Sequence, residues 1–309
     1  MANVDRIEEG KVWGDLHPKV KRGVLAIKES AEFKDANGND ASHMFDVMIR
    51  TTQNQVRALK AVDELSEHEI ENGKFIFAFF QQASTMEERF PTLTKQDIAR
   101  LMFIGTYVAW GTNRLQSDNG KRHYDKKDLQ ELVEMSGKRF NELFKRFKDA
   151  DILHESESGE LFVNPTIFYR GDLKKHSYDI SDLQYTRVFK KTVRDLYAEF
   201  KGRKLGQLAT IYSVLPFLNF ATNIVCFNPE ESSDSLIRPM NLENLSALLG
   251  YQNTHKLKTA LNGIKVDEKP VFTFVEDPYD RRQRRIIVNP RVVYGGNGES
   301  LRAIKALFN

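Results

Sequence analysis

The sequence predicts an α+β fold that is mainly helical, with two related domains in tandem behind an N-terminal hairpin-plus-helix region. Two observations lead to this prediction. The phrase LFVNPTIFYRG in the middle of the chain returns near its end as IIVNPRVVYGG. The stretches before the two phrases also share one order of predicted elements. Because self-similarity at a long, fixed offset indicates duplicated structural units, we expect two copies of one domain.

The repeated positions are an Asn-Pro pair, a tyrosine and a glycine. The second set lies 125 positions (289 − 164) after the first: Asn164, Pro165, Tyr169 and Gly171 against Asn289, Pro290, Tyr294 and Gly296. Upstream, the leucine spacing matches at an offset of 113 (242 − 129), which aligns Leu129 with Leu242 and Phe144 with Leu257. The difference of 12 residues (125 − 113) predicts an insertion in the second copy, where a β-hairpin is expected.

Length and composition place the chain among globular proteins of two to three domains. It has 309 residues, of which 40% are hydrophobic and 29% charged. No signal segment opens the sequence and no stretch approaches the ~18 apolar residues of a membrane span, so we expect a cytoplasmic protein without membrane contact. The single cysteine, Cys226, excludes a disulfide framework and is expected to be buried and structural. The expected domains are residues 1–90, 91–175, 176–204 (a linker helix) and 205–309.

The N-terminal region is predicted to contain a hairpin followed by a helix. GVLAIKESAEF and HMFDVMIRTT are rich in β-forming residues and flank KDANGND, whose Asn-Gly is a turn signal. From Gln53 to Ile70, apolar residues recur at helical spacing.

The first copy is predicted to begin with a helix from Thr94 to about Trp110, since Thr94 and Asp97 have capping-box spacing. A very short strand at RHY follows, then helices at 126–135 and 138–149. Short strands at 152–153 and 161–163 form a hairpin. Helix, short strand, helix, turn, helix, hairpin is the order of a winged helix-turn-helix.

The second copy repeats this order after an amphipathic linker helix predicted at 185–200. QLATIYSVLPFLN is its first helix, ending near Pro216, and NIVCFNP is a strand. Its second helix runs over 241–249 with Asn241 as cap, and its third begins near Asn253. Strands at 270–275 and 285–288 form a longer hairpin with EDPYDRRQRR at its tip.

The third helix of each copy carries the candidate DNA-binding residues, because the second helix of a helix-turn-helix motif enters the major groove. They are Lys138, Arg139, Asn141, Lys145 and Arg146 in the first copy, and Gln252, Asn253, Thr254, His255, Lys256 and Lys258 in the second. The alternative is that these residues only solvate amphipathic helices.

The hairpin tip of the second copy adds four candidate arginines for phosphate or the minor groove: Arg281, Arg282, Arg284 and Arg285. Here the alternative is pairing with the neighbouring Glu276, Asp277 and Asp280. From Tyr185 onward the chain has 19 Lys and Arg against 12 Asp and Glu, which favours a polyanionic partner for this half. The tip of the first hairpin, HESESGE, is acidic and is expected to avoid the DNA backbone.

Asn-Pro has a structural interpretation. Proline lacks the N–H that continues a strand pairing, and the residue before it is restricted to extended conformations, so the pair ends the last strand of each hairpin. Tyr169 and Tyr294 are then expected to pack back against the core.

The sequence contains no phosphate-binding glycine loop, no His-Glu-x-x-His and no cysteine-histidine zinc pattern, so we expect no enzymatic activity, cofactor or metal. A tyrosine recombinase-like reaction through Tyr185 or Tyr294 stays open, although no local pattern marks either residue.

The block DLQELVEMSGKRFNELFKRFKDADILHESESGELFVNPTIFYRG resembles the winged-helix replication proteins of small plasmids and phages of Gram-positive bacteria. LPFLNFATNIVCFNPEESSDSLIRPMNLENLSALLGY resembles a segment of phage regulatory proteins from similar hosts, and the doubling is similar to tandem winged-helix initiators. The resemblance implies binding to double-stranded DNA in replication initiation, with transcriptional regulation as the alternative. We expect the N-terminal hairpin and helices to mediate self-association, as a homodimer, or to recruit the replication or transcription machinery, because the chain before Tyr185 is acidic on balance.

Overall fold

The computed structural model of the protein describes residues 13–30, 34, 36–40, 53–80, 84–175, 178, 180, 183–280 and 284–308. The chain divides into two compact units, Met1–Leu59 and Lys60–Asn309. Helices and small antiparallel sheets make up the described parts, which confirms the mixed helical and β character of the prediction. In these same ranges no helix is long and apolar enough to cross a membrane.

The first unit contains helix α1 (Pro18–Ser30), and an antiparallel bridge joins Lys34 to Asp40 around the Asn-Gly turn. The turn was predicted, but the strand before it was wrong, since GVLAIKES lies in α1. Pro18 opens that helix at the position where its fixed φ suits a first turn, and alternation over a few residues does not distinguish strand from helix. The predicted strand HMFDVMIRTT lies outside the described residues.

Helix α2 (Gln53–Glu71), strand β1 (Phe75–Phe80), helix α3 (Met86–Arg89) and helix α4 (Lys95–Gly105) follow. α2 agrees with the prediction. Thr94 and Asp97 form the predicted capping box at the start of α4. α4 ends at Gly105 instead of near Trp110, because Val108 already pairs with Leu115 across a turn.

The rest of the first copy has the predicted order of helices and hairpin, but the strand expected at RHY is only an isolated bridge from Gln116 to His123. Helices α5 (Lys126–Leu132) and α6 (Gly137–Asp149) precede strands β2 (Leu153–Glu155), β3 (Leu161–Val163) and β4 (Phe168–Tyr169). β2 and β3 form the predicted hairpin, with Leu153 opposite Val163. Arg114 bridges to Phe162, so the segment after α4 runs beside this hairpin.

The connection to the second copy differs from the prediction at its start. Residues 184–189 form strand β5 (Gln184–Phe189), and helix α7 (Lys190–Glu199) begins only after it. The predicted helical start at Tyr185 is therefore wrong. Thr186 and Val188 alternate as buried residues between two neighbouring strands, and this sheet environment outweighs the local helical pattern.

The second copy opens with a 3₁₀ helix over 202–208, helix α8 (Ala209–Val214) and a 3₁₀ turn at Pro216, as expected for a helix ending there. The predicted strand NIVCFNP makes isolated bridges, such as Ile224 to Ile287. The remaining elements are α9 (Leu242–Leu248), α10 (Thr254–Gly263), β6 (Lys265–Val266), β7 (Lys269–Pro270), β8 (Phe272–Glu276), β9 (Arg284–Val288), β10 (Val293–Tyr294) and α11 (Gly298–Ala306).

A four-stranded antiparallel sheet joins the two copies in the order β10-β5-β1-β4. The strands that follow the two Asn-Pro pairs, β4 and β10, form the two opposite edges of this sheet. Tyr169 lies opposite Phe77, and Tyr294 lies opposite Arg187. This sheet was not predicted, because its central strands come from segments outside the repeat.

The repeated tyrosine and glycine contact each other in both copies. Tyr169 and Tyr294 are buried, as predicted, and their rings fold over Gly171 and Gly296. A Cβ at position 296 would meet the Tyr294 ring and come within 2.6 Å of the carbonyl oxygen of Phe220. The Tyr-x-Gly spacing therefore reflects packing, since another side chain would displace the ring.

Backbone hydrogen bonds at the helix starts correct the predicted residue alignment between the helices of the two copies. Leu129 and Leu245 each donate a backbone N–H to the capping residue of their helix, an offset of 116 (245 − 129). Phe140 and Leu257 do the same in the next helix, an offset of 117 (257 − 140). The predicted offset of 113 was wrong by one helical turn, because apolar residues recur every three to four positions on a helix. The second copy therefore has 8 additional residues (125 − 117) before its Asn-Pro. They accommodate β6, β7 and a longer hairpin.

Candidate nucleic-acid interface

The first copy holds two helices at a tight turn. The Asp125 side chain accepts from the backbone N–H of Asp128 at 2.8 Å and begins α5 as part of a capping box. The chain then reverses at Glu134, whose φ is 52°. The Gln130 side-chain amide donates to the Met135 carbonyl at 3.1 Å and closes the turn. The direction of α6 is therefore set by local hydrogen bonds.

Helix α6 separates an apolar face from a polar one. Phe140, Leu143, Phe144 and Phe147 are buried at helical spacing. The opposite side exposes Lys138, Arg139, Asn141 and Lys145, which we call the first helix surface. Its three basic residues make it positively charged, although the exposed Glu142 of the same helix lies next to Asn141 in sequence.

The fifth candidate residue of α6, Arg146, has a different place. It is half-buried, and its Nε and Nη2 atoms lie 3.1 and 3.0 Å from Oδ2 of Asp97. Asp97 is only 2% exposed and also caps α4. Arg146 therefore ties α6 to α4, and we do not include it in the first helix surface.

The second copy repeats the arrangement with other cap residues. Asn241 caps α9, Gly250 reverses the chain with φ 68°, and the Asn253 side chain accepts from the Lys256 N–H at 2.8 Å to begin α10. Leu257 and Leu261 are buried.

Gln252, His255 and Lys256 are exposed and form what we call the second helix surface. At the corrected offset, His255 and Lys256 are equivalent to Lys138 and Arg139 of the first copy. Thr254 is half-buried beside them. Lys258 is half-buried too, with its ammonium 5.9 Å from the centre of the Phe274 ring.

The arginines of the second hairpin divide into two roles. Arg284 is exposed, whereas Arg285 is 5% exposed and binds Asp277 and Asp234, with each ion pair at 2.6 Å. Pairing with Asp277, the alternative drawn from the sequence, thus applies to Arg285. Arg281 and Arg282 lie outside the described residues.

The Asp277 carboxylate accepts several hydrogen bonds. Burial raises its pKa, but the Arg285 guanidinium and the backbone N–H groups of Tyr279 and Asp280 outweigh burial, so the pKa lies below its usual range. The ionised carboxylate therefore holds the base of the hairpin.

A cavity of about 320 Å³ near α2 and α11 is lined by His68, Glu71, Lys269, Asn289, Arg291, Lys305 and Phe308. Arg291 pairs with Asp267, and Lys305 pairs with Glu64. The His68 ring lies 2.8 Å from the carbonyl oxygen of Pro290, and burial lowers its pKa. These contacts attach α2 to the second Asn-Pro turn.

The cysteine and the possible metal ligands bear on whether the chain could carry out a reaction. Cys226 is fully buried, as expected, and burial raises the pKa of its thiol to about 11. Within the described ranges, no three His, Cys, Asp or Glu side chains come together as metal ligands.

A cluster of cations was missed by the sequence reasoning. Lys190 and Arg194 of α7 both pair with Asp118, and Arg170 lies close by after β4. Asp118, Arg170 and the two α7 residues come from three separate segments of the chain, so no local pattern marks the cluster.

No protein-family model matches the chain, and no curated protein or solved structure matches it either.

Proposed function

We propose that the chain is a double-stranded DNA-binding protein of a phage or plasmid, acting in replication initiation through two tandem winged helix-turn-helix domains. One observation carries the proposal. Both copies contain a capped helix, a tight turn, an amphipathic helix and a hairpin, and both expose polar or basic residues at equivalent positions of the amphipathic helix. That order and that exposed face match the requirements of a helix that enters the major groove.

In this proposal the N-terminal turns of α6 and α10 read the DNA. Lys138 and Arg139 in the first copy, and His255 and Lys256 in the second, lie where a recognition helix contacts base edges and the flanking phosphates. The side-chain amide of Asn141 carries both a donor and an acceptor, which suits the edge of adenine. The positive end of each helix dipole adds to the attraction for phosphate.

The second hairpin supplies a phosphate or minor-groove contact through Arg284, together with Arg281 and Arg282. Arg285 acts indirectly, because its ion pairs with Asp277 and Asp234 hold the hairpin to the segment before α9. The first hairpin carries an acidic tip and stays off the DNA backbone. We therefore expect the second copy to contribute more of the affinity.

A binding role without catalysis agrees with the environment of Tyr294. Its hydroxyl donates to the carbonyl of Asn297 at 2.5 Å, and burial raises the pKa of the phenol to about 12. A nucleophile needs access to its substrate, which the fully buried phenol of Tyr294 lacks, whereas Tyr185 is 45% exposed. Trapping a covalent tyrosyl-DNA adduct would contradict this part of the proposal.

We assign self-association, or recruitment of the replication or transcription machinery, to residues 1–90. The basic surplus lies in the other half of the chain, from Tyr185 onward, which leaves the earlier part with an acidic balance. Such a balance suits contact with protein more than contact with DNA.

The experiment is to incubate the purified protein with sheared DNA of its own genetic element and to sequence the retained fragments, with unrelated genomic DNA as competitor. Recovery of clustered repeats near an origin supports initiation, whereas recovery of promoter-overlapping palindromes supports a transcriptional regulator. No enrichment over the competitor would overturn both assignments.

A further inference from the structure

The loop after α4 and the start of α7 bring two cations, Lys190 and Arg194, onto a single carboxylate, and the charge of a third, Arg170, acts on the same group. The Asp118 side chain accepts from Arg194 and from Lys190, the latter at 3.2 Å. The Arg194 guanidinium also donates to the hydroxyl of Thr106 at 2.8 Å and to its carbonyl at 2.9 Å. Arg194 is therefore held rigidly, with the carboxylate of Asp118 at its outer edge.

Arg170 is the third cation, and its guanidinium lacks an acceptor. It is half-buried, yet within the part of the chain that the structure describes it makes no side-chain hydrogen bond and no ion pair. Its guanidinium carbon lies 6.0 Å from the ring centre of Trp110. None of its nitrogen atoms is both buried and unpaired, so its five N–H donors face solvent and are accessible to a ligand oxygen.

The charges of the cluster are not balanced. Burial lowers the pKa of Lys190, and the positive charges of Arg170 and Arg194 lower it further despite the pairing with Asp118. Burial lowers the pKa of Arg170 as well; the charge of Asp118 counteracts this shift and that of Arg194 adds to it. The Asp118 side chain is 59% exposed and pairs with Lys190 and Arg194, so among the described residues the charge of Arg170 has no carboxylate partner. An added anion would relieve their mutual repulsion.

Trp110 provides an aromatic surface beside these cations. Its ring is 65% exposed, and the backbone N–H of the next residue, Gly111, donates to the carbonyl of Arg170 at 2.7 Å. An exposed indole next to the Arg170 guanidinium is suited to stacking a nucleobase while the cations hold the phosphate.

We propose that Arg170, Lys190 and Arg194 bind a phosphate group and that Trp110 stacks on the base of the same nucleotide. The ligand is a nucleotide, either free or as one unit of a single strand. This site lies outside the helix surfaces assigned to double-stranded DNA and does not depend on them. Asp118 occupies the anion position when no ligand is bound.

The test uses the fluorescence of Trp110 in the full-length chain. The sequence contains two tryptophans, so Trp13→Phe leaves Trp110 as the single reporter. This variant is titrated with dAMP, then with a short single-stranded oligonucleotide, and inorganic phosphate is added as competitor. Saturable quenching by dAMP that phosphate reverses indicates a free nucleotide. Saturable quenching by the oligonucleotide alone indicates a strand.

Substitutions in the Trp13→Phe background decide whether the cations bind the phosphate. Arg170→Gln and Lys190→Gln should each weaken binding about tenfold or more, because each removes a charged hydrogen-bond donor. Lys191→Gln removes the charge of the adjacent exposed lysine and should change affinity by less than about twofold. Asp118→Asn should tighten binding, since it removes the competing carboxylate.

The proposal is overturned if neither probe quenches saturably, or if Lys190→Gln and Lys191→Gln weaken binding equally. Circular dichroism and urea unfolding establish that each variant is folded. Because these probes are single nucleotides and single strands, loss of double-stranded DNA binding would leave the result unaffected.

Discussion

Asn113 and Asn223 make the same pair of hydrogen bonds in the two copies. The Asn113 amide donates to the carbonyls of Val163 and Phe168 at 3.0 and 2.6 Å. The Asn223 amide donates to the carbonyls of Val288 and Val293 at 3.1 and 2.7 Å. Both asparagines are buried, with φ of 57° and 55°. Each clamps the strand before an Asn-Pro to the strand after it.

Replacing either asparagine by alanine should destabilise the protein by about 1 to 3 kcal/mol, because two buried carbonyls lose their donor. Alanine also tolerates a positive φ less well than asparagine. Urea unfolding measures the change, with Asn262→Ala on the exposed side of α10 as the matched control. A loss no larger than in that control would show that the clamp does not contribute.

Gly296→Ala should destabilise the protein by about 1 to 3 kcal/mol, since the new methyl group overlaps the Tyr294 ring and the Phe220 carbonyl. Gly263→Ala is the control, because a Cβ at this helical position meets nothing within 4 Å. It should be neutral or stabilising by up to about 1 kcal/mol. Thermal unfolding followed by circular dichroism compares the melting temperatures of Gly296→Ala and Gly263→Ala. Equal melting temperatures would rule out the tyrosine-glycine contact as the cause of the Tyr-x-Gly spacing.

The ion pair between Asp277 and Arg285 should make stability depend on pH. The folded-state pKa of Asp277 is lowered, so its contribution is present above the unfolded value of about 3.9 and is lost as pH falls through the folded value. Asp277→Asn should cost about 2 kcal/mol at pH 7, and this cost should shrink below about pH 4. Urea unfolding between pH 7 and pH 3 measures it.

The control for this pH series is Glu157→Gln on the exposed tip of the first hairpin, which should have little effect at any pH. A cost of Asp277→Asn that stays constant down to pH 3 would contradict the ionic role.

The helix surfaces should carry DNA affinity independently of stability. Lys138→Gln with Arg139→Gln, and His255→Gln with Lys256→Gln, should each weaken binding by about 1 to 3 kcal/mol. The salt dependence should also become less steep, because fewer counterions are released. Arg302→Gln, an exposed arginine of α11, is the control. Fluorescence anisotropy at several salt concentrations measures the affinity of each variant for DNA. If the helix-surface variants bind DNA as tightly as Arg302→Gln does, these surfaces do not contact DNA.

Neighbouring arginines of the second hairpin should separate binding from folding. Arg284→Ala should lower DNA affinity and reduce the salt slope by about 0.9, with stability unchanged within about 0.5 kcal/mol. Arg285→Ala should cost about 3 kcal/mol or more in unfolding free energy, because Asp277 and Asp234 lose their shared partner. Reversed effects would mean that the hairpin is not the contact surface that we propose.

The sequence by itself determined the mixed helical and β character, the helix-helix-hairpin order that follows α4 and several helix starts. The caps at Thr94, Asn241 and Asn253 are readable because cap and helix are neighbours in the chain. The burial of Tyr169 and Tyr294 was predictable for a similar reason, since Asn-Pro ends a strand at a fixed distance before each tyrosine.

Only the tertiary structure decided the partners that lie far apart in sequence. The strand character of β5 depends on neighbours at both edges, and the role of Arg285 depends on Asp234, 51 positions earlier. Arg284 and Arg285 are identical in type and adjacent, yet one faces solvent and the other a pair of carboxylates. Local patterns report backbone preference, whereas the pairing of side chains depends on which distant segments the fold brings together.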